Sequence, residues 1–274
     1  MANLPDLFDL TGRVALVTGG TGLLGKEFCR TLAAAGATVV IVDIDGQAVT
    51  QYADELTKTG YTAYGITTDI TKPQDVKSLV EQVLSQYKQL DILVNSAALD
   101  PKFDPQQIDQ QGANAFESYP LKSWQQALDV NLTGMFLCCQ ACAQPMLEQG
   151  KGAIVNLCSM YGLSAPDQRL YQQEGQPPRY KPVSYTTTKA GVLGFTKYLA
   201  AYYAGKGIRV NALTPGGVFN NHDDEFVKHY SARTMLGRMA ENDEMNGALL
   251  FLASDASSYM TGANVVVDGG WTAW

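Results

Sequence analysis

No stretch of this sequence supplies the roughly 18 consecutive apolar residues that a bilayer-spanning helix needs. The strand-like run Val39 to Val42, for instance, meets Asp43 at once. The opening MANLPDLFDL has neither a basic n-region nor an apolar h-region, so a secretory signal is not expected and a soluble, cytoplasmic protein is. Basic residues are in the minority, 20 Lys and Arg against 27 Asp and Glu for a net charge of −7. That balance argues against a nucleic-acid partner, which would need a basic face to displace counterions. Histidine is almost missing, with only His222 and His229. Cys139 and Cys142 have CxxC spacing but no second pair follows, so no metal is expected. The five cysteines are an odd number and lie in apolar patterns, which predicts reduced, buried thiols rather than a disulfide framework.

What is present is enough apolar residue, 46% against 17% charged, to bury a large core across the 274 residues. Strand-like runs at Val14–Thr18, Thr38–Asp43, Thr62–Thr68, Ile92–Asn95, Ala153–Cys158, Ile208–Leu213 and Asn264–Val267 alternate with segments of helical period. After Pro73, for example, Val76, Leu79, Val80, Val83, Leu84 and Tyr87 form one stripe. Short, continuous apolar strands joined by helices predict an α/β fold: a Rossmann-type doubly wound parallel sheet, with ligands at the carboxyl ends of the strands. A single domain over residues 1–274 is expected, with insertions at about 99–119, 162–183 and 216–234. Long connections on that edge are usually lids or binding loops.

The first strand runs into Thr18-Gly-Gly-Thr-Gly-Leu-Leu-Gly25, where Gly20, Gly22 and Gly25 satisfy GxGxxG between a strand and a helix. Glycines there let the backbone approach a pyrophosphate, and the helix N-terminus offers amide donors. Asp43 ends the second strand, where an acid accepts from the adenosine ribose hydroxyls, and no Lys or Arg in 20–24 or 44–47 would balance a 2′-phosphate. NAD is therefore the expected cofactor. Asp69, after the third strand, suits either an adenine amino group or a helix cap.

Tyr185 and Lys189 are four apart on a predicted helix and share a face. A neighbouring ammonium stabilises phenolate and lets a Tyr move protons near neutral pH. Tyr202 and Lys206 repeat the spacing, so context has to choose, and Ser159 directly after a strand and Pro215-Gly216-Gly217 after the next favour the first pair. With Asp69, Asn95-Ser-Ala-Ala98, Asn131 in Asn-Leu-Thr-Gly, Tyr185-Thr-Thr-Thr-Lys189 and Asp268-Gly-Gly270, the chain resembles the short-chain dehydrogenase/reductase family over essentially its whole length. The resemblance implies that Tyr185 is the general acid/base, that Lys189 lowers its pKa and binds the nicotinamide ribose, that Ser159 holds the substrate oxygen, and that Asn131 supports a relay water. It implies cofactor contacts from Gly19, Thr21, Gly22, Leu24, Gly25, Asp43, Ile44, Asp69, Ile70, Asn95, Ala97, Tyr185, Lys189, Pro215, Gly216 and Val218. It also implies that the helices around Trp124–Leu147 and Tyr185–Tyr203 form subunit interfaces, hence a homodimer or homotetramer. Apolar residues on more than one face, such as Met135, Phe136, Leu137 and Cys138 in succession, agree.

The family pattern is not followed throughout. The glycine spacing is TGxxGxxG rather than TGxxxGxG, the Gly of NNAG is replaced, and the Thr after Pro-Gly is missing, leaving Asn220 or Asn221 as substitutes. Ser159 and Tyr185 stand 26 positions apart, so the loop between them must fold away for the two to meet. That loop is polar, which points to a small polar substrate such as a sugar, sugar phosphate or related polyol as partner, held by Ser159, Tyr185, Asn220, Arg169 and Arg179. Arg169, Arg179 and Lys181 are the candidates for pairing with a phosphate. The segments Gly217–Asn221, Phe251–Gly262 and Asp268–Trp274 look like a bacterial subgroup associated with flagellin modification and nonulosonic sugars. The expected activity is NAD-dependent interconversion of a secondary alcohol and a ketone. The alternatives are a 3-oxoacyl thioester reductase and a dinucleotide-binding regulator without chemistry.

Overall fold

Residues 3–100, 114–172, 175 and 178–274 are described by the computed structural model. The strands β1 (Val14–Thr18), β2 (Thr38–Asp43), β3 (Ala63–Thr67), β4 (Ile92–Asn95), β5 (Gly152–Leu157), β6 (Ile208–Pro215) and β7 (Asn264–Val267) form one parallel sheet in the order β3-β2-β1-β4-β5-β6-β7. Every residue of β1, β4 and β5 is buried, as a parallel sheet covered on both faces requires. The order reverses between β1 and β4, so the crevice for a ligand opens at their carboxyl ends.

Helices α2 (Leu23–Ala34) and α3 (Gly46–Lys58) cover one face together with α9 (Asn246–Ala253), packing Phe28, Leu32, Tyr52 and Leu249 onto the sheet. On the other face lie α4 (Pro73–Tyr87), α6 (Met135–Gln149) and α7 (Val183–Tyr202). There the α4 stripe is buried at Val76, Leu79, Val80 and Val83, with Leu84 and Tyr87 partly covered. The short α1 (Leu4–Phe8) precedes β1, α5 (Leu121–Leu128) leads toward α6, and α8 (Asp224–Ser231) lies within the third insertion.

Most strand limits match expectation, and the differences have local causes. Strand β6 continues past Leu213 to Pro215 because β7 lies alongside it, pairing Thr214 with Val266 and Pro215 with Val267. Proline is tolerated at that end of the ladder, where its missing N–H is not required. The helix read as continuous around Trp124–Leu147 contains a π-helical segment, Asp129–Gly134, between α5 and α6. Such segments concentrate at functional sites. Its last residue packs so closely that a Cβ at Gly134 would lie 2.8 Å from Ile70 Cδ1.

All five cysteines are buried and free. Among the described residues no group of His, Cys, Asp and Glu could hold a metal, and no helix is long and apolar enough to cross a membrane. Of the expected insertions, residues 101–113 in the first and 173, 174, 176 and 177 in the second lie outside the described residues. Within the second lies a 3-10 turn, Gln168–Tyr171, and another, Met160–Gly162, leads into it.

Candidate active site

The turn after β1 is built so that only glycine fits. Gly19 has φ +63°, and a Cβ there would lie 2.7 Å from Ala97 Cα. A Cβ on Gly25 would lie 2.0 Å from the Gly19 carbonyl oxygen. Thr18 ties this turn to the one after β4, its Oγ1 accepting from the Ala97 N–H at 3.2 Å. Gly22 stands at the N-cap of α2, and no side chain caps that helix end, which leaves its amides for an anion. Asp43 accepts from the Thr21 N–H (3.1 Å) and Oγ1 (2.6 Å) through one oxygen, and from the Ile44 N–H (2.8 Å) through the other. Beside it the apolar Ile44 is 69% exposed, as a side chain covering an adenine face would be, and Leu24 is half-buried. A glycine cradle, an uncapped helix end and a carboxylate at the end of β2 together fit a dinucleotide.

The other cofactor candidates divide by what their side chains do. Asp69 accepts from the Thr71 N–H (3.0 Å) and Oγ1 (2.6 Å) and pairs with Lys72 (3.2 Å), and the Thr71 hydroxyl first of all holds its carboxyl below the usual range. Asp69 thus closes a turn just ahead of α4 and does not cap that helix, whose N-cap is Lys72 with no side-chain cap bond. Asn95 is buried and donates to Asn156 Oδ1 (2.8 Å) and Cys139 Sγ (3.1 Å), so its side chain braces β4 against β5 and α6. Ile70 is buried against Gly134. On the far side of the crevice, a Cβ on Gly216 would lie 2.7 Å from Asp268 Cα. Val218 forms a bridge to Ala240 that carries the chain after Pro215 back over the edge of the sheet.

The structure brings Ser159 and Tyr185 together across their loop. The Ser159 hydroxyl is close enough to the Tyr185 phenol to draw its pKa down, and Ser159 Oγ accepts from the Tyr161 N–H at 3.2 Å. Burial, followed by the Asp100 carboxylate, pushes the phenol up. Lys189 is buried with its Nζ 5.8 Å from the Tyr185 ring centroid, donating to the Leu157 carbonyl at 2.9 Å. Desolvation brings its ammonium down to about 8. Lys189 thus bonds a carbonyl at the end of β5, and burial is the largest influence on the Tyr185 phenol. Asn131 sits in the π-helical segment, its Oδ1 accepting from the Leu99 N–H (2.6 Å) and its Nδ2 donating to the Leu99 carbonyl and Thr188 Oγ1 (3.1 Å each). Its side chain thereby fixes the start of the first insertion against the Tyr185 helix.

The arginines are differently placed. Arg169 is 86% exposed at its side chain and spends its guanidinium on both oxygens of Asp167, which also pairs with Arg233. That pairing leaves Arg169 no free fork for a phosphate. Arg179 is half-buried, its carbonyl accepting from Gln172 Nε2, and Asn220 donates its N–H to His222 Nδ1 at 3.1 Å. Lys206 stacks on the exposed Tyr202 ring at 4.2 Å, which places that second pair at the surface.

Sequence reasoning did not find the aromatic layer above Ser159. Tyr230 is buried and stacks on Trp271 with centroids 4.5 Å apart, while Tyr171 Oη donates to Tyr161 Oη at 2.9 Å. Gly217 admits this layer, since a Cβ there would lie 2.6 Å from Tyr230 Cζ. Nor did it find Asp100, whose carboxylate reaches Lys181 across the cleft. The spacing of four to Tyr185 gives no helix signal for Lys181, because the Tyr185 helix begins at Val183 with Pro182 at its N-cap.

Comparison with known proteins agrees with this geometry. The family profile described as "Enoyl-(Acyl carrier protein) reductase" matches residues 22–272. A 3-alpha-(or 20-beta)-hydroxysteroid dehydrogenase of Mycobacterium tuberculosis is 38% identical over 267 residues, covering 96% of this chain and 91% of that protein. Galactitol 2-dehydrogenase (L-tagatose-forming) of Cereibacter sphaeroides is 35% identical over 274 residues, covering 98% of each. The crystal structure of a gluconate 5-dehydrogenase from Burkholderia cenocepacia, in complex with NADP and tartrate, superimposes with a TM-score of 0.87 at 30% identity, covering 99% of this chain and 100% of that one. With its doubly wound sheet, its dinucleotide cradle and its Ser159–Tyr185 pair beside Lys189, the chain belongs to the short-chain dehydrogenase/reductase family, oxidoreductases that bind a nicotinamide dinucleotide.

Proposed function

We propose that the protein is an NAD-dependent dehydrogenase that interconverts a secondary alcohol and a ketone on a polar polyhydroxy substrate of the sugar or polyol kind. One observation carries the reading: Ser159, just after β5, and the Tyr185 phenol on α7 meet at the carboxyl edge of the sheet, beside the buried Lys189. Ser159 holds the substrate oxygen, and Tyr185 Oη takes its proton in oxidation and returns it in reduction. Both hydroxyls stabilise the charge that develops on that oxygen. Lys189 keeps a positive charge close to the phenol and binds a ribose of the cofactor. Asn131 holds Leu99 and Thr188 in place around the site. When bound, the nicotinamide exchanges the two electrons of the reaction. Gly19, Thr21, Gly22, Leu24, Gly25, Asp43 and Ile44 hold the dinucleotide on one side of the crevice, and Ala97, Pro215, Gly216 and Val218 on the other.

A 3-oxoacyl thioester reductase fits less well, because an acidic carrier partner needs a basic docking face and this chain carries a net charge of −7. A regulator without chemistry needs neither a buried lysine nor a paired phenol and hydroxyl at the substrate face. The substrate class is tested by comparing alditols and sugars with hydrophobic secondary alcohols, steroids included because of the hydroxysteroid relative. Higher kcat/KM on the polyhydroxy compounds is expected, and a clear preference for the hydrophobic alcohols would overturn the polar reading.

Cofactor choice gives a second expectation. A 2′-phosphate would face the Asp43 carboxylate with no Lys or Arg at 44–47 to balance it. NAD should therefore exceed NADP in kcat/KM by about tenfold or more, about 1.4 kcal/mol. Asp43→Ala should narrow the ratio, and equal efficiencies in the unmutated protein would remove that role from Asp43.

The protein should also assemble as a homodimer or homotetramer with two-fold symmetry. Leu121 on α5, Phe136 on α6 and Tyr198 and Tyr202 on α7 leave large apolar side chains exposed, and Phe136 packs against Phe195 at 6.3 Å between ring centroids. Apolar surface of this kind marks an interface. Light scattering at micromolar concentration should give a multiple of 29.6 kDa; a monomeric mass would refute the interface.

A further inference from the structure

Lys181 is the most unusually placed charge near Tyr185. Its ammonium lies over the Tyr185 ring, 4.2 Å from the centroid, and 6.0 Å from that of Tyr161. Only 13% of its side chain is exposed, and Asp100 is its ion-pair partner, both carboxylate oxygens within reach of Nζ at 2.6 and 2.8 Å. Gln168 grips the lysine's backbone from both sides, its Oε1 accepting from the Lys181 N–H (2.8 Å) and its Nε2 donating to the Lys181 carbonyl (3.3 Å). The ammonium is thus fixed on the ring face of the residue assigned to proton transfer. Desolvating an ion pair costs more than an apolar pair of the same shape would. A leucine or methionine would fill the space between the two tyrosines at lower cost, so the charge calls for a purpose.

The two partners are unequal. Asp100 is 44% exposed and comes from the loop after β4, and its carboxylate can leave for water. Lys181, pinned by Gln168 and covered by two rings, cannot follow. Asp100 therefore stands where an incoming carboxylate would sit. We propose that Lys181 is a specificity-determining residue that recognises a carboxylate on the substrate, displacing Asp100, so that the preferred substrates are polyhydroxy carboxylates rather than neutral polyols. A carboxylate suits the site better than a phosphate, since one ammonium meets the ligand and the neighbouring Arg169 is committed to Asp167. This inference deepens the polyol reading above and rests on it for the identity of the reacting centre.

The test is calorimetric as well as kinetic. With nicotinamide cofactor bound, the affinities of aldonates, alditols and aldose phosphates of four to six carbons are measured for the unmutated protein and for Lys181→Gln, Lys181→Arg and Asp100→Asn. The same ligands are assayed for turnover. The unmutated protein should bind its best aldonate roughly tenfold or more tightly than the matching alditol. Lys181→Gln should abolish that ratio, Lys181→Arg should restore part of it, and Asp100→Asn should raise it by removing the competitor. If Lys181 and Asp100 merely clasp two loops, Lys181→Gln will weaken both ligand classes alike and the ratio will survive, which overturns the proposal. A phosphate preferred over the aldonate in a Lys181-dependent manner overturns the carboxylate assignment. Turnover of alditols with no aldonate preference sinks this inference and spares the reaction. Lys181-dependent aldonate binding without turnover of any class does the reverse.

Discussion

Tyr185→Phe is expected to lower kcat by about 10²- to 10⁴-fold, the usual loss on removing a positioned proton donor. The substitution deletes one hydroxyl. The ring stays packed in the aromatic layer with Met160, Tyr161 and Leu170, and beneath the Lys181 ammonium. Losing that hydroxyl's interaction with Ser159 should cost stability of only about 1 kcal/mol. Thermal unfolding and cofactor affinity should therefore change little while turnover collapses, a combination that a packing defect would not produce. If Tyr185→Phe kept full turnover, proton transfer would have to be reassigned to Tyr161. That phenol stands two residues after Ser159 and accepts from Tyr171, and burial pushes it up to about 12.

Gly25→Ala should have the second-largest effect, this time on cofactor binding. The added Cβ would meet the Gly19 carbonyl oxygen at 2.0 Å and the Gly19 carbonyl carbon and Gly20 Cα at 2.9 Å. All three are backbone atoms, so no side chain can swing aside. Either α2 moves off the turn or the turn deforms, and both displace the uncapped helix end from where a pyrophosphate would lie. Overpacking of this kind costs about 1–3 kcal/mol or more, and dinucleotide affinity should fall at least about tenfold with it. Gly247→Ala is the control, because Gly247 is exposed near the start of α9 with nothing within 4 Å of its would-be Cβ. It should leave both properties nearly unchanged. Calorimetric titration with NAD reads the difference, and equal affinities in the two variants would contradict the close-packed cradle.

The strands and the glycine turn were legible because their signals are local. Val14–Thr18 and Ile92–Asn95 are continuous apolar runs whose limits equal the strand limits, and Gly25 answers a contact with Gly19, six residues away. Tyr185 and Lys189 were legible because a spacing of four on a helix needs no tertiary information. What resisted reading is non-local. Asp100 meets Lys181 across 81 residues, and Tyr230 reaches Met160 across 70, with its hydroxyl 3.2 Å from Sδ. The phosphate role offered for Arg169 meets competition from Asp167, two residues away, whose carboxylate is presented to the guanidinium by the 3-10 turn Gln168–Tyr171. Asn95 reads as a ligand-facing residue at a strand end, yet the pleat turns its side chain inward to Asn156. The π-helical segment that presents Asn131 also has no periodicity signal, since one extra residue per turn leaves the apolar pattern of its flanking helices intact.

The most direct test of the central claim follows nicotinamide absorbance at 340 nm while the unmutated protein is incubated with NAD and a panel of secondary alcohols: alditols, aldonates, sugars and hydrophobic controls. The account predicts NADH formation with at least one polyhydroxy compound, abolished in Tyr185→Phe. NADH formation that persists at the unmutated rate in Tyr185→Phe, or a panel on which only the hydrophobic alcohols react, would contradict it.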